Sequence, residues 1–236
     1  MLKSSIGKKL VMSLSGLFLI LFLLFHATMN VVAIFSAEAY NAVCEFLGAN
    51  WYALVGTMVL AAGFVVHILM SIVITLGNRK SRGNQRYAKV TRPKEVSWAS
   101  KNMFVLGIIV VGFMGLHLYQ FWAKMQLVEI MHFGSGVEHD ALQNSLGIHP
   151  ADGAALIKYY FSNICVVICY VVWLVALWFH LNHGFWSALH TVGWNNEIWL
   201  PRLQKLGKFI STLTILMFIA VVIVFYVRSL CCGGVC

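Results

Sequence analysis

An all-α integral membrane protein, a five-helix bundle, is the fold class this sequence predicts, and three observations predict it. Of 236 residues, 60% are hydrophobic and only 11% are charged, too few charges to solvate a water-soluble domain of that length. Five apolar runs, at about residues 10–35, 52–77, 102–122, 161–189 and 209–227, are each long enough to cross a bilayer. Each offers about 20 residues or more, which matches about 30 Å of hydrocarbon at 1.5 Å per residue. Finally, none of the five contains Lys, Arg, Asp, Glu or Pro. Backbone amides in lipid must be satisfied within their own segment, so the runs read as transmembrane helices. Residues 1–236 then form one membrane domain.

The first run follows Lys3, Lys8 and Lys9, and SAEA near residue 36 resembles a signal cleavage site. The run is too long for a signal core, and His26 and Asn30 interrupt its end, so it reads as the first span. Orientation follows from charge. With the N-terminus in the cytoplasm, the inner segments hold 14 of the 17 Lys and Arg residues, and the outer segments six of the eight acids. This is the positive-inside pattern. The net charge of +9 therefore belongs to one membrane face and gives no reason to invoke nucleic acid. The inner loop NRKSRGNQRYAKVTRPKEVSWASK is longer and more basic than orientation requires, which suits a dock for a soluble partner as well as a topogenic signal.

Between spans three and four lies the largest segment outside the bilayer, from Lys124 to about Tyr160. Its His132, His139 and His149 lack the tight spacing of metal ligands and read as surface residues. The six cysteines form no disulfide framework. Cys165 and Cys169 lie one helical turn apart within span four, and Cys231, Cys232 and Cys236 fall in an outer tail.

Histidine is the residue that apolar spans should not hold. His26, His67, His117 and the pair His180 and His183 occupy the first four spans, and the fifth has none. An imidazole in the membrane is costly and marks function by default. Measured from the inner helix ends, His26 lies about 24 Å deep and His117 about 22 Å, against about 15 Å for His67 and about 13 Å for His180. Spans one and three thus place a histidine toward the outer side, and spans two and four toward the inner side. Two imidazoles at one level can face each other across a bundle core, where helical proteins house cofactors. Two such pairs suggest two haems b in the core of the first four helices, each iron filled on both axial sides and so suited to electron transfer. A zinc site would need three or four clustered ligands. Ser13, Ser15 and Gly16 sit at the inner level of span one, where the serines could hydrogen-bond a propionate and Gly16 could admit a macrocycle or a neighbouring helix. Ordinary small-residue packing explains these three equally well.

SIGKKLVMSLSGLFLILFLLFHATMN, with its Ser-Gly step followed by His and Asn, and FHLNHGFWSAL, with a histidine, a glycine four residues later and then Trp-Ser, carry a resemblance. The chain resembles the cytochrome b membrane-anchor subunit of succinate:quinone oxidoreductases, the succinate dehydrogenases and fumarate reductases, in its single-chain, five-helix, dihaem type. The resemblance implies that His180, with Gly184 as the matching glycine, pairs with His67 on the inner, proximal haem. His26 and His117 would hold the outer, distal haem, and His183 could contact a propionate. It implies a flavoprotein subunit with FAD and an iron–sulfur subunit on the cytoplasmic face of a bacterial inner membrane, the latter docked on the basic loop. Quinone, with menaquinone the expected type, would react near the distal haem, where Glu38 and Glu45 are the nearest outer acids for proton exchange. The heterotrimer could itself dimerise.

The chain departs from that pattern in its longer outer segment and in Trp178, which stands where some dihaem fumarate reductases carry a glutamate. Other classes remain. A dihaem anchor of a hydrogenase or formate dehydrogenase shares the topology. A haem-free transporter would use the histidines for packing or for protons. A di-iron desaturase would need several histidine boxes, and HLNH supplies only one HxxH.

Overall fold

The computed structural model describes residues 4–48, 50–82, 98–133, 136, 138–194 and 196–231. Eight α-helices account for most of them: α1 Ser5–Phe35, α2 Ala37–Phe46, α3 Trp51–Arg82, α4 Trp98–Gln120, α5 Gln126–His132, α6 Gly153–Phe161, α7 Ile164–Thr191 and α8 Trp199–Cys231. No strand occurs among the described residues. Five helices, α1, α3, α4, α7 and α8, are long and apolar enough to cross a membrane.

The helices run past the apolar stretches because polar caps, not hydropathy, set their ends. Ser4 opens α1 by accepting from Gly7 N at 3.0 Å. Ser36 leaves helical geometry and caps α2 through Ala39 N at 3.0 Å, so one residue ends one helix and starts the next. Asn163 accepts from Cys165 N at 2.9 Å and starts α7. Against the approximate fourth span 161–189, Phe161 closes α6 and the spanning helix begins three residues later. At the other end of α7, Gly193 takes φ +106°, Trp194 N bonds to Leu189 O and Gly193 N to His190 O. That paired return is the Schellman motif, and it needs a residue free to adopt positive φ. Gly193→Ala should therefore cost about 1 kcal/mol, read as a lower midpoint of thermal unfolding in detergent; an unchanged midpoint would mean that this turn is not under strain.

The core follows α7. Val167, Trp173, Leu174 and Leu177 on α7 pack with Ile215 and Val222 on α8, and Trp178 Nε1 donates to Thr212 Oγ1 across the same interface at 2.9 Å. Helix α1 packs on both α7 and α8, α3 rests mainly on α1, and α4 mainly on α7. Two glycines set close approaches. The Phe18 ring of α1 lies against Gly63 of α3, and the Phe185 ring of α7 against Gly207 of α8.

The segment Lys124–Tyr160 is not a plain loop. It carries α5 and most of α6, and the α6 residues Leu156 and Ile157 are 1% and 2% exposed. Asp152 caps α6 through Ala155 N at 2.9 Å and accepts from Asn41 Nδ2 of α2 at 2.8 Å, while Asn41 Oδ1 accepts from Ala154 N. Helices α2, α5 and α6 thus cap one end of the bundle. The opposite end carries Lys8, Lys9, Arg79, Lys80, Lys101, Arg202, Lys205 and Lys208. Residues 83–97 of the basic loop, and Cys232 and Cys236 of the tail, lie outside the described residues. The described Cys44, Cys165, Cys169 and Cys231 are free thiols.

Candidate functional site: two histidine pairs

Each histidine singled out above lies on a spanning helix, and the structure brings four of them together in twos. His26 on α1 and His117 on α4 have ring centres 5.9 Å apart. His67 on α3 and His180 on α7 have theirs 6.3 Å apart. In both pairs the rings are close to perpendicular, at 80° and 70°. Helices α1 and α4 do not pack closely on each other, nor do α3 and α7. The pairs therefore bridge diagonals of the bundle, meeting through imidazoles where backbones stand apart.

The levels are further apart than helix ends alone suggest. Tyr170, against His117, and His180 are ten residues apart on α7, which is about 15 Å of helix. On α1, Ser15 lies against His67 and precedes His26 by eleven residues, about 16 Å. Depths counted from the inner ends give about 9 Å, because they assume that every helix starts at one plane.

The neighbours of each ring differ. Ser15 Oγ lies 3.3 Å from His67 Nδ1 and donates its own proton to Met12 O at 3.0 Å. Ser15 thus meets the imidazole itself. Ser13, expected beside it, is buried. Gly16 faces the same ring, and a Cβ there would stand 3.2 Å from His67 Cε1. On α4, His117 Nδ1 lies 3.4 Å from Tyr170 Oη, and Tyr170 donates to Gln120 Oε1 at 2.8 Å. His26 has the Asn30 amide nitrogen 3.4 Å from Nδ1 and 3.5 Å from Nε2. Asn30 is held from behind by Tyr40 Oη at 3.2 Å. His183 does not join a pair; it lies edge-on to Trp186, with ring centres 5.0 Å apart.

Whether the residues present fit a haem can be judged on the donors. Two imidazoles bound on opposite sides of one iron, each through a metal–nitrogen bond of about 2 Å, place ring centres about 6 Å apart. Both pairs fall at that separation. Buried polar atoms without a hydrogen-bond partner lie at both levels: His180 Nδ1 and His183 Nδ1 at one, and Trp173 Nε1 beside His117 at the other. A Cβ on Gly184, one turn from His180, would meet nothing within 4 Å. The residues present fit a bis-imidazole group at each level. Among the described residues no three His, Cys, Asp or Glu side chains converge as a metal cluster.

Two pockets open at the capped end. One, of about 400 Å³, is lined by Glu38, Asn41, Glu45, His139, His149 and Asp152 among others. Glu38 and Glu45 are both exposed on α2 and line this pocket. His139 and His149 pack there, with ring centres 5.1 Å apart, and His132 is exposed on α5. The other, of about 350 Å³, is lined by Gln120, Tyr159, Tyr160, Ser162, Asn163 and Val166. Gln120 joins it to His117 through Tyr170.

Sequence reasoning missed Tyr170, Gln120 and Tyr40, and gave Asn30 no role beside His26; these are the polar side chains around the His26 and His117 rings. The tyrosines look like membrane aromatics until the helices are docked; Gln120 and Asn30, one turn on from His117 and His26, were the available signal. It also missed Glu129, which is 4% exposed with its carboxylate seated on Gly48, an approach that only a glycine permits. Beside it, burial pushes the Cys44 thiol up to about 11, against a smaller opposing effect of its hydrogen bond with Tyr40. Burial likewise holds the Tyr40 phenol well above its ordinary value.

Fold and site together define a class: a five-helix membrane bundle with two imidazole pairs stacked across its core. Over 202 residues the chain is 23% identical to the succinate dehydrogenase cytochrome b558 subunit of Bacillus subtilis strain 168, a similarity covering 85% of this chain and 83% of that protein. No family model matches the chain. No solved structure matches it either.

Proposed function

We propose that this protein is a dihaem cytochrome b anchor that passes electrons between a membrane quinone and an iron–sulfur subunit of a succinate dehydrogenase or fumarate reductase. The observation that carries the reading is the pair of diagonal histidine couples, each with ring centres about 6 Å apart. The similarity to the Bacillus subtilis subunit over most of both chains supports it. In this reading His67 and His180 hold the inner haem, His26 and His117 the outer one, and His183 and Ser13 stand near the inner group. When bound between such imidazoles, haem b would supply one-electron transfer. The protein's own part is to hold and orient four imidazoles in the core of one membrane domain spanning residues 1–236.

The chain sits in a bacterial inner membrane with its N-terminus and basic end in the cytoplasm. There the basic end meets an iron–sulfur subunit and, through it, a flavoprotein carrying FAD. Quinone, proposed as menaquinone, enters at the capped end. The pocket of Gln120 and Tyr160 suits its head group, because it alone of the two pockets is hydrogen-bonded through to a histidine of the outer pair. Glu38 and Glu45 remain proposed as acids that exchange protons with outer water at the neighbouring pocket.

Purification through a tag on this chain tests the partners: FAD and iron–sulfur clusters should accompany it, with succinate-dependent quinone reduction. A haem-bearing chain without flavin would assign it to another respiratory complex. Orientation has its own test. A membrane-impermeant maleimide should label the tail cysteines in intact spheroplasts, and labelling only after lysis would reverse the topology.

A further inference from the structure

We infer that Ser15 and Tyr170 are positioning residues that fix one imidazole of each pair as the Nδ1–H tautomer, so that its Nε2 lone pair is the one offered to iron. The inference rests on the haem reading above and goes beyond it to the atoms. A hydroxyl has one proton to give. Tyr170 gives its proton to Gln120 Oε1 at 2.8 Å, so at 3.4 Å from His117 Nδ1 its oxygen can only accept. His117 must then carry its proton on Nδ1. Ser15 gives its proton to Met12 O at 3.0 Å, so its oxygen also accepts, here from His67 Nδ1 at 3.3 Å. Both hydroxyls are committed elsewhere, and both sit on a helix other than the imidazole's own: Ser15 on α1 against α3, Tyr170 on α7 against α4.

The other ring of each pair has no such anchor. His180 Nδ1 is buried without a partner, and the Asn30 amide lies nearly equidistant from both nitrogens of His26. Each pair thus joins one fixed ring to one adjustable ring. A hydrogen bond accepted from the distant nitrogen of a ligating imidazole raises its donor strength and favours the more oxidised metal. Each hydroxyl should therefore hold down the reduction potential at its own level only.

Tyr170→Phe keeps the ring packing and removes the acceptor. In the detergent-extracted complex, an optical redox titration should show a tenfold shift of the ferric–ferrous equilibrium at the outer haem, about 59 mV upward for a one-electron couple, with the inner haem unmoved. Ser15→Ala should raise the inner potential alone, and Ser15→Thr should restore it. The two variants are read independently, each with the other haem as its reference. Both haems retained with neither potential moved would overturn the inference and make the hydroxyls packing groups. A parent chain that binds no haem would overturn the haem reading instead, so the two failures are distinct.

Discussion

His180→Ala should lose the proposed inner haem and keep the proposed outer one. Of the two candidates in FHLNHGFWSALH, His180 is the one that faces His67, at 6.3 Å between ring centres. His183, three residues on, lies edge-on to Trp186 instead. The substituted protein should retain one haem b per chain, and its remaining spectrum should match that of His67→Ala, because either change dismantles one pair. His183→Ala should retain both haems. Loss of the outer haem on His180→Ala would mean that the histidines are paired differently, and loss of a haem only on His183→Ala would exchange the roles of the two residues.

Leu156→Ala carries the largest expected cost to stability outside the spans. Leu156 is 1% exposed on α6, where the capped end meets the bundle. Truncating a buried leucine removes apolar contact and leaves a cavity, a loss of about 2–5 kcal/mol. The neighbouring capping network of Asp152, Asn41 and Ala155 is polar and short, and it cannot close over such a hole. Thermal unfolding in detergent should fall by several degrees, and proteolysis should first cut between α5 and α6. The His67–His180 pair lies far from α6, so a haem held there should be retained at moderate temperature. An unchanged midpoint would mean that α6 contributes little to the fold.

What the sequence makes legible, and what it hides, divides along physical lines. Charge-free apolar runs are a one-dimensional signal, so all five spans can be read directly, with ends that polar caps then extend. Imidazoles in such runs are equally plain, and their two depths suffice to match His26 with His117 and His67 with His180 in space. The separation of the levels is not legible, because helix ends are ragged and only docking shows Ser15 beside His67 and Tyr170 beside His117. The short helices α5 and α6 are hidden because they are too brief to show periodicity and depend on caps from distant residues such as Asn41. Nothing in the sequence sets Glu129 apart from the other outer acids, and only the glycine at position 48 on another segment gives its carboxylate a buried seat. Glu38 and Glu45 are both exposed on α2, where they line a pocket that no histidine of either pair lines.

One measurement bears most directly on the central claim: a reduced-minus-oxidised absorption spectrum of the gently extracted chain with a pyridine haemochrome count. Two low-spin haems b per chain are expected, one for each imidazole pair. A colourless protein, extracted in mild detergent from cells supplied with iron and haem precursor, would contradict the electron-transfer account and return the four histidines to helix packing or proton transport.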